Sequence, residues 1–123
     1  MAALAKILVI EDDPDLASAM CDLLNISGYR ASHAADGVAA LEMLGRSDLP
    51  DLILLDLMLP RLDGWGFRAA QLADKQLSAI PVVVLSAVGE IVRPIIADYL
   101  LRKPVTPDIL LASIERFRRR PPR

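Results

Sequence analysis

The chain has 123 residues, 54% of them hydrophobic, and a formal net charge of −2. This length suits one domain and leaves no room for two, and the apolar content excludes disorder. Five of the fourteen basic residues crowd into "RFRRRPPR" at 116–123, so elsewhere nine cations face sixteen acids, a balance that speaks for a cation site and against a nucleic-acid surface.

Cys21 is the only cysteine, which rules out an intramolecular disulfide and a cysteine-based metal site. The apolar run in "MAALAKILVI" stops at three acids with no small-residue cleavage site behind it. No stretch approaches the roughly 20 apolar residues of a membrane span. A soluble, cytoplasmic protein with no membrane partner is expected.

In chain order, Lys6–Ile10 is a short β-branched-rich run and predicts a buried strand. Asp13-Pro14 reads as the cap and first position of a helix, with Asp15 in its first turn. Leu16, Met20, Leu23 and Leu24 form the apolar face of that helix, and Gly28 ends it. Residues 29–34 predict a second strand and 35–47 a second helix capped by Asp36. The segment 50–60 begins with a third strand, apolar throughout and interrupted by Asp56. Residues 62–74 give a turn and a third helix, 80–87 a fourth strand and 97–104 a fifth. A final helix over 106–120 has Thr106 as cap and Pro107 in its first turn. Strands 1, 3 and 4 are apolar on both faces, and strands alternate with helices. The pattern predicts an α/β fold, a doubly wound parallel sheet with helices on both sides.

In such sheets ligands bind beyond the carboxyl ends of the strands. Glu11 and Asp12 end strand 1, Asp56 strand 3, Ser86 strand 4 and Lys103 strand 5. Three carboxylates converging there repel unless a divalent cation neutralises them, and hard oxygen donors favour Mg²⁺ over zinc. A carboxylate beside Mg²⁺, a lysine and a hydroxyl is what phosphoryl transfer onto an aspartate requires. Asp13 and Asp15 are fully explained as helix-start acids, and Glu11 and Asp12 taken alone fit that reading equally well. Asp56 does not, because a charge inside "LILLDLML" needs a partner or an opening. His33 reads as a strand-face residue, Trp65 and Phe67 as packing on the third helix, and the arginine tail as a solvated helix end.

The pieces "ILVIEDDP", "ADGVAAL", "PDLILLDLMLPRLDG", "PVVVLSA" and Lys103-Pro104 before a capped helix span nearly the whole chain. Together they resemble the receiver domain of the two-component response regulators, the CheY-like family, over 1–120 with a basic tail at 116–123. The resemblance implies a (βα)5 flavodoxin-like sheet of order 2-1-3-4-5. It implies that Asp56 accepts a phosphoryl group from the phosphohistidine of a sensor histidine kinase or phosphotransfer protein. Glu11, Asp12, Asp56 and the backbone carbonyl of Met58 would hold Mg²⁺. Lys103 would pair with the phosphoryl group, its bond to Pro104 being usually cis in the family. Ser86, in place of the common threonine, would supply the switch hydroxyl.

The chain also departs from the family. Seventeen positions separate Ser86 from Lys103, fewer than usual, and Gly89 and Pro94 disfavour a helix between them. The fourth helix is therefore expected to be one turn, an irregular loop or missing. The aromatic that the family carries three residues before the lysine is Leu100 here; Tyr99 stands one place earlier and should face the other side of the sheet. Output is expected through exposed Ile91, Val92, Ile95 and Ile96, toward a downstream protein or a homodimer through residues 88–101. No effector domain follows in the sequence, so output by protein contacts is expected. Met58 and Val88 flank the expected path of a hydrolytic water and cannot orient it, which predicts slow self-dephosphorylation. A degenerate receiver acting as a constitutive interaction module is the competing reading. An aspartyl phosphohydrolase is disfavoured because Met58 stands where its general acid would be. There is also no glycine-rich phosphate loop after strand 1.

Overall fold

The computed structural model describes residues 4–46 and 48–120. Five strands, β1 (Lys6–Ile10), β2 (Arg30–Ala34), β3 (Leu52–Asp56), β4 (Val82–Ser86) and β5 (Tyr99–Arg102), form one sheet of order β2-β1-β3-β4-β5. All four pairings are parallel. The helices are α1 (Pro14–Ile26), α2 (Gly37–Arg46), α3 (Gly64–Leu72) and α4 (Pro107–Phe117). This is the flavodoxin-like order that the resemblance implies.

Side-chain alternation divides the core into two layers. Leu8, Ile10, Ile53, Leu55, Val82 and Val84 face α2 and α3, where Phe67 is fully buried. Ile7, Val9, Leu52, Leu54, Val83, Leu85 and Leu101 face Met20 and Leu24 of α1 and Leu110 and Ile114 of α4. β3 and β4 are buried at every residue because they are central and covered on both sides.

The helix starts follow the chemistry of their caps. Asp13 Oδ1 accepts from the amides of Asp15 and Leu16, and Thr106 Oγ1 accepts from Ile109. Asp36 Oδ1 accepts from Ala39 in the same way. Gly28 closes α1 at φ +94, a conformation that side-chain-bearing residues resist.

Between β4 and β5 there is no helix. Residues 87–98 run as irregular backbone with a turn at 88–89, where Gly89 takes φ +86. This strap is fastened to α3 by side chains. Trp65 Nε1 donates to the Arg93 carbonyl (3.3 Å) and Arg68 Nε to the Ile96 carbonyl (2.6 Å). The Arg93 guanidinium lies over the Trp65 ring, 4.8 Å from its centroid. Arg68 is itself buried and held by Gln71, whose amide binds the carbonyls of Leu77 and Ile80. Ile95 is half-buried and packs on the core, so it is not the exposed residue that the sequence suggested; Ile91, Val92 and Ile96 are exposed.

The last helix is shorter than expected and ends at Phe117. The arginines that follow are not simply solvated. Arg118 and Arg120 bind Glu115, which also accepts from the Tyr29 hydroxyl (2.6 Å), and Arg119 binds backbone at Pro50 and Asp51. Residues 121–123 of the basic tail lie outside the described residues.

Candidate functional site: the carboxyl edge of the sheet

Four strand ends meet at one edge. Glu11 follows β1 and is buried, its amide bound to the Ala34 carbonyl (3.1 Å). Its Oε1 accepts from the Asp13 amide (3.2 Å). Asp12 beside it is exposed, and Asp56 ends β3 and is buried. Carboxylate oxygens of Glu11, Asp12 and Asp56 lie within 4.8 Å of one another. From β5, Lys103 Nζ reaches to 3.4 Å from Asp56 Oδ1 and 3.5 Å from Glu11 Oε2. Those same two oxygens are buried without a hydrogen-bond partner. Ser86 is buried at the end of β4, its carbonyl bound to the Lys103 amide (2.7 Å). The Lys103–Pro104 bond is cis.

The electrostatics follow from this crowding. Burial, and next the charge of Asp56, push the Glu11 carboxyl above its ordinary pKa. Burial likewise raises that of Asp56, which Lys103 offsets in part and Glu90 reinforces. Burial works against the Lys103 ammonium, but Asp56 and Glu11 outweigh it and hold its pKa above the ordinary lysine value. One lysine thus serves two buried carboxylates. Orphaned oxygens, a third acid within reach and an all-oxygen donor set fit a small hard divalent cation.

The loop after Asp56 is pinned from two sides. The Gly64 amide donates to the Leu57 carbonyl (2.8 Å), so closely that a Cβ at Gly64 would lie 2.8 Å from Leu57 Cα and 2.9 Å from the Asp56 carbonyl oxygen. Arg61, at φ +62, forks onto Asp36 with Nε–Oδ2 at 2.8 Å and Nη2–Oδ1 at 3.0 Å. Met58 lies within this loop, its side chain 55% exposed toward solvent.

A family model described as the response regulator receiver domain matches residues 7–115. The chain belongs to this family. The receiver is 36% identical over 120 residues to the DNA-binding dual master transcriptional regulator RpaA of Synechocystis, covering 94% of this chain and 49% of that protein. It spans about half the length of the first curated relatives it matches. Among solved structures it resembles the receiver domain of a Syntrophus aciditrophicus histidine kinase, with TM-score 0.86, 29% identity, and 92% and 89% of the two chains covered. It also resembles the receiver domain of the sensor histidine kinase PA1611 of Pseudomonas aeruginosa, with TM-score 0.84, 27% identity, and 94% and 98% covered. That structure carries a magnesium ion in its active-site cleft.

The receiver fold brings together Glu11, Asp12, Asp56, Lys103 and Ser86, all chosen from sequence. Four neighbours escaped that reading. His33 Nε2 pairs with the Glu11 carbonyl (2.8 Å), Asp36 and Arg61 brace the Asp56 loop, and the Glu90 carboxylate accepts from the Ala87 amide. Pro60 marks the turn that carries Arg61, and no motif in the sequence points to Glu90. Tyr99 lies on the α4 face, stacked on Phe117 at 5.0 Å, and Leu100 stands on the opposite face. Among the described residues no helix is long and apolar enough to cross a membrane.

Proposed function

We propose that this receiver is a working phosphoacceptor: Asp56 takes a phosphoryl group from a phosphohistidine on a sensor histidine kinase or phosphotransfer protein. The observation that carries the reading is the pair of orphaned buried oxygens, Glu11 Oε2 and Asp56 Oδ1, aimed at one lysine and joined by Asp12. Such a group of charges is costly as pure structure and useful as a site. Glu11, Asp12 and Asp56, with the Met58 backbone carbonyl, would hold Mg²⁺. When bound, that ion would neutralise negative charge on the transferring group.

The chain's own residues do the rest. An Asp56 carboxylate oxygen attacks phosphorus in line, and the bond from phosphorus to the donor's leaving atom breaks with its electron pair. Lys103 balances charge on an equatorial oxygen, and the Ser86 hydroxyl donates to another. A protein donor is favoured by an apolar cleft of about 480 Å³ beside Lys103, lined by Leu16, Met20, Leu85, Val105 and Leu110. The phosphorylated receiver would signal to a downstream protein, or through a homodimer formed by residues 88–101, in the cytoplasm. The alternative, a constitutive interaction module, leaves two buried acids sharing one lysine without a purpose.

The test is intact mass after incubation with acetyl phosphate and Mg²⁺. A gain of about 80 Da is expected, dependent on Mg²⁺ and absent in Asp56→Asn. No gain from either acetyl phosphate or a cognate kinase would refute the reading.

A further inference from the structure

Glu90 stands outside the set that the receiver resemblance brings, yet it reaches into the site. Ala87 follows Ser86 directly, at the strand end beside Asp56, with Asp56 and Leu85 paired across β3 and β4. The Ala87 amide donates to Glu90 Oε1, and the Glu90 amide returns a bond to the Ala87 carbonyl (3.2 Å). The Gly89 turn at φ +86 folds the chain back so that this loop can close. Glu90 is half-buried, and its charge is felt at both Asp56 and Lys103, where it favours the protonated form of each.

A phosphoryl group on Asp56 presents three anionic oxygens that need donors. Lys103 approaches from the β5 side, and the Glu11–Asp12 acids define the cation side. The remaining direction is the end of β4, where the Ser86 hydroxyl and the Ala87 amide are the nearby donors. A charged oxygen already sits on that amide.

We infer that Glu90 is a positioning residue of the phosphoryl site, a resident anion that holds the Ala87 amide until the phosphoryl group on Asp56 displaces it. This rests on the phosphoacceptor reading and deepens it. In the unmodified chain the carboxylate takes the donor that the incoming group requires and adds a repelling charge, so Asp56 is phosphorylated slowly. On transfer, Asp56 oxygen bonds to phosphorus, acetate departs from acetyl phosphate with the electron pair, and a phosphoryl oxygen replaces Glu90 on the amide. Glu90 then swings out, and residues 88–92 move with it. Residues 93–97 stay bolted to α3 through Trp65 and Arg68. The chain would thereby carry its signal without an aromatic at position 100.

The experiment compares the native full chain with Glu90→Gln and Glu90→Ala for the rate of mass gain with acetyl phosphate and Mg²⁺. Removing the charged acceptor should raise the rate about tenfold, the effect of one hydrogen bond to a charged group. The Ala87 amide resonance is read in parallel, because it reports whether Glu90 or a phosphoryl oxygen holds the amide. It should lie far downfield in the native chain and shift both in Glu90→Gln and in the native chain once phosphorylated. Native and variant chains modified at equal rates, or a slower variant, would overturn the inference alone. An Ala87 resonance that phosphorylation leaves in place would do the same, even if a variant failed to fold. No modification of any of the three, by acetyl phosphate or by a cognate kinase, would overturn the phosphoacceptor reading and this inference with it.

Discussion

Asp56 and Glu11 are kept close and buried at the expense of stability, because one lysine must answer two carboxylates. Asp56→Asn should therefore stabilise the metal-free receiver, by about 1 kcal/mol, while abolishing most of its response to Mg²⁺. In the native chain, Mg²⁺ at a hundredfold its Kd should add about 2.7 kcal/mol. Melting curves of both proteins with and without Mg²⁺ check this; a variant less stable than the native chain without metal would contradict it. The side chains of Met58 and Val88, residues 55% and 79% exposed, offer no polar atom to orient a water approaching the acyl phosphate. Self-dephosphorylation should be slow, with decay of the phosphorylated mass over many minutes; a lifetime of seconds would refute it.

The element that sets this receiver apart is the strap at 87–98. It is short of residues for a helix and keeps its place by side-chain bonds to its carbonyls instead of a ladder of its own. Arg68→Ala would leave the Ile96 carbonyl and Gln71 Oε1 without this donor, at a cost of about 2 kcal/mol. Hydrogen exchange should then speed up across residues 93–98 and stay unchanged in α1, which packs on the other face of the sheet. Uniform loosening of the whole chain would show that the clamp has no local role. On the strap, Val92 and Ile96 stand 77% and 70% exposed.

Across the whole molecule, the amino edge of the sheet is tied to the chain's end by Glu115. Its bonds from Arg118, Tyr29 and Arg120 hold its carboxyl down at about 2. The pKa is depressed, so the folded state binds fewer protons than the unfolded chain between that value and the ordinary 4.5. This contribution is present above about 4.5 and disappears as the pH falls toward about 2. Solvent reaches the side chain and weakens the effect. Chemical denaturation between pH 6 and 2 should show a shallower acid loss in Glu115→Gln than in the native chain, and parallel curves would exclude the tie; the pH limits span the roughly two-unit window of a depressed carboxylate.

The sequence by itself determined the order of elements, the parallel sheet and the edge where the site lies. Those depend on local signals: apolar runs in Lys6–Ile10, Leu52–Asp56 and Val82–Ser86, caps at Asp13 and Asp36, and a charge stranded in an apolar run at Asp56. The missing helix was legible too, because Gly89 and Pro94 oppose it in a segment too short to hold it. Only the tertiary structure decided that Arg61 braces Asp36, that Arg68 clamps Ile96, that Arg118 and Arg120 fold back onto Glu115, and that Glu90 reaches Ala87. Each of these joins a long polar side chain to a group whose position depends on how the chain packs or turns. No periodicity encodes where a flexible arginine or glutamate will point, since the partner exists only once the fold has brought it there.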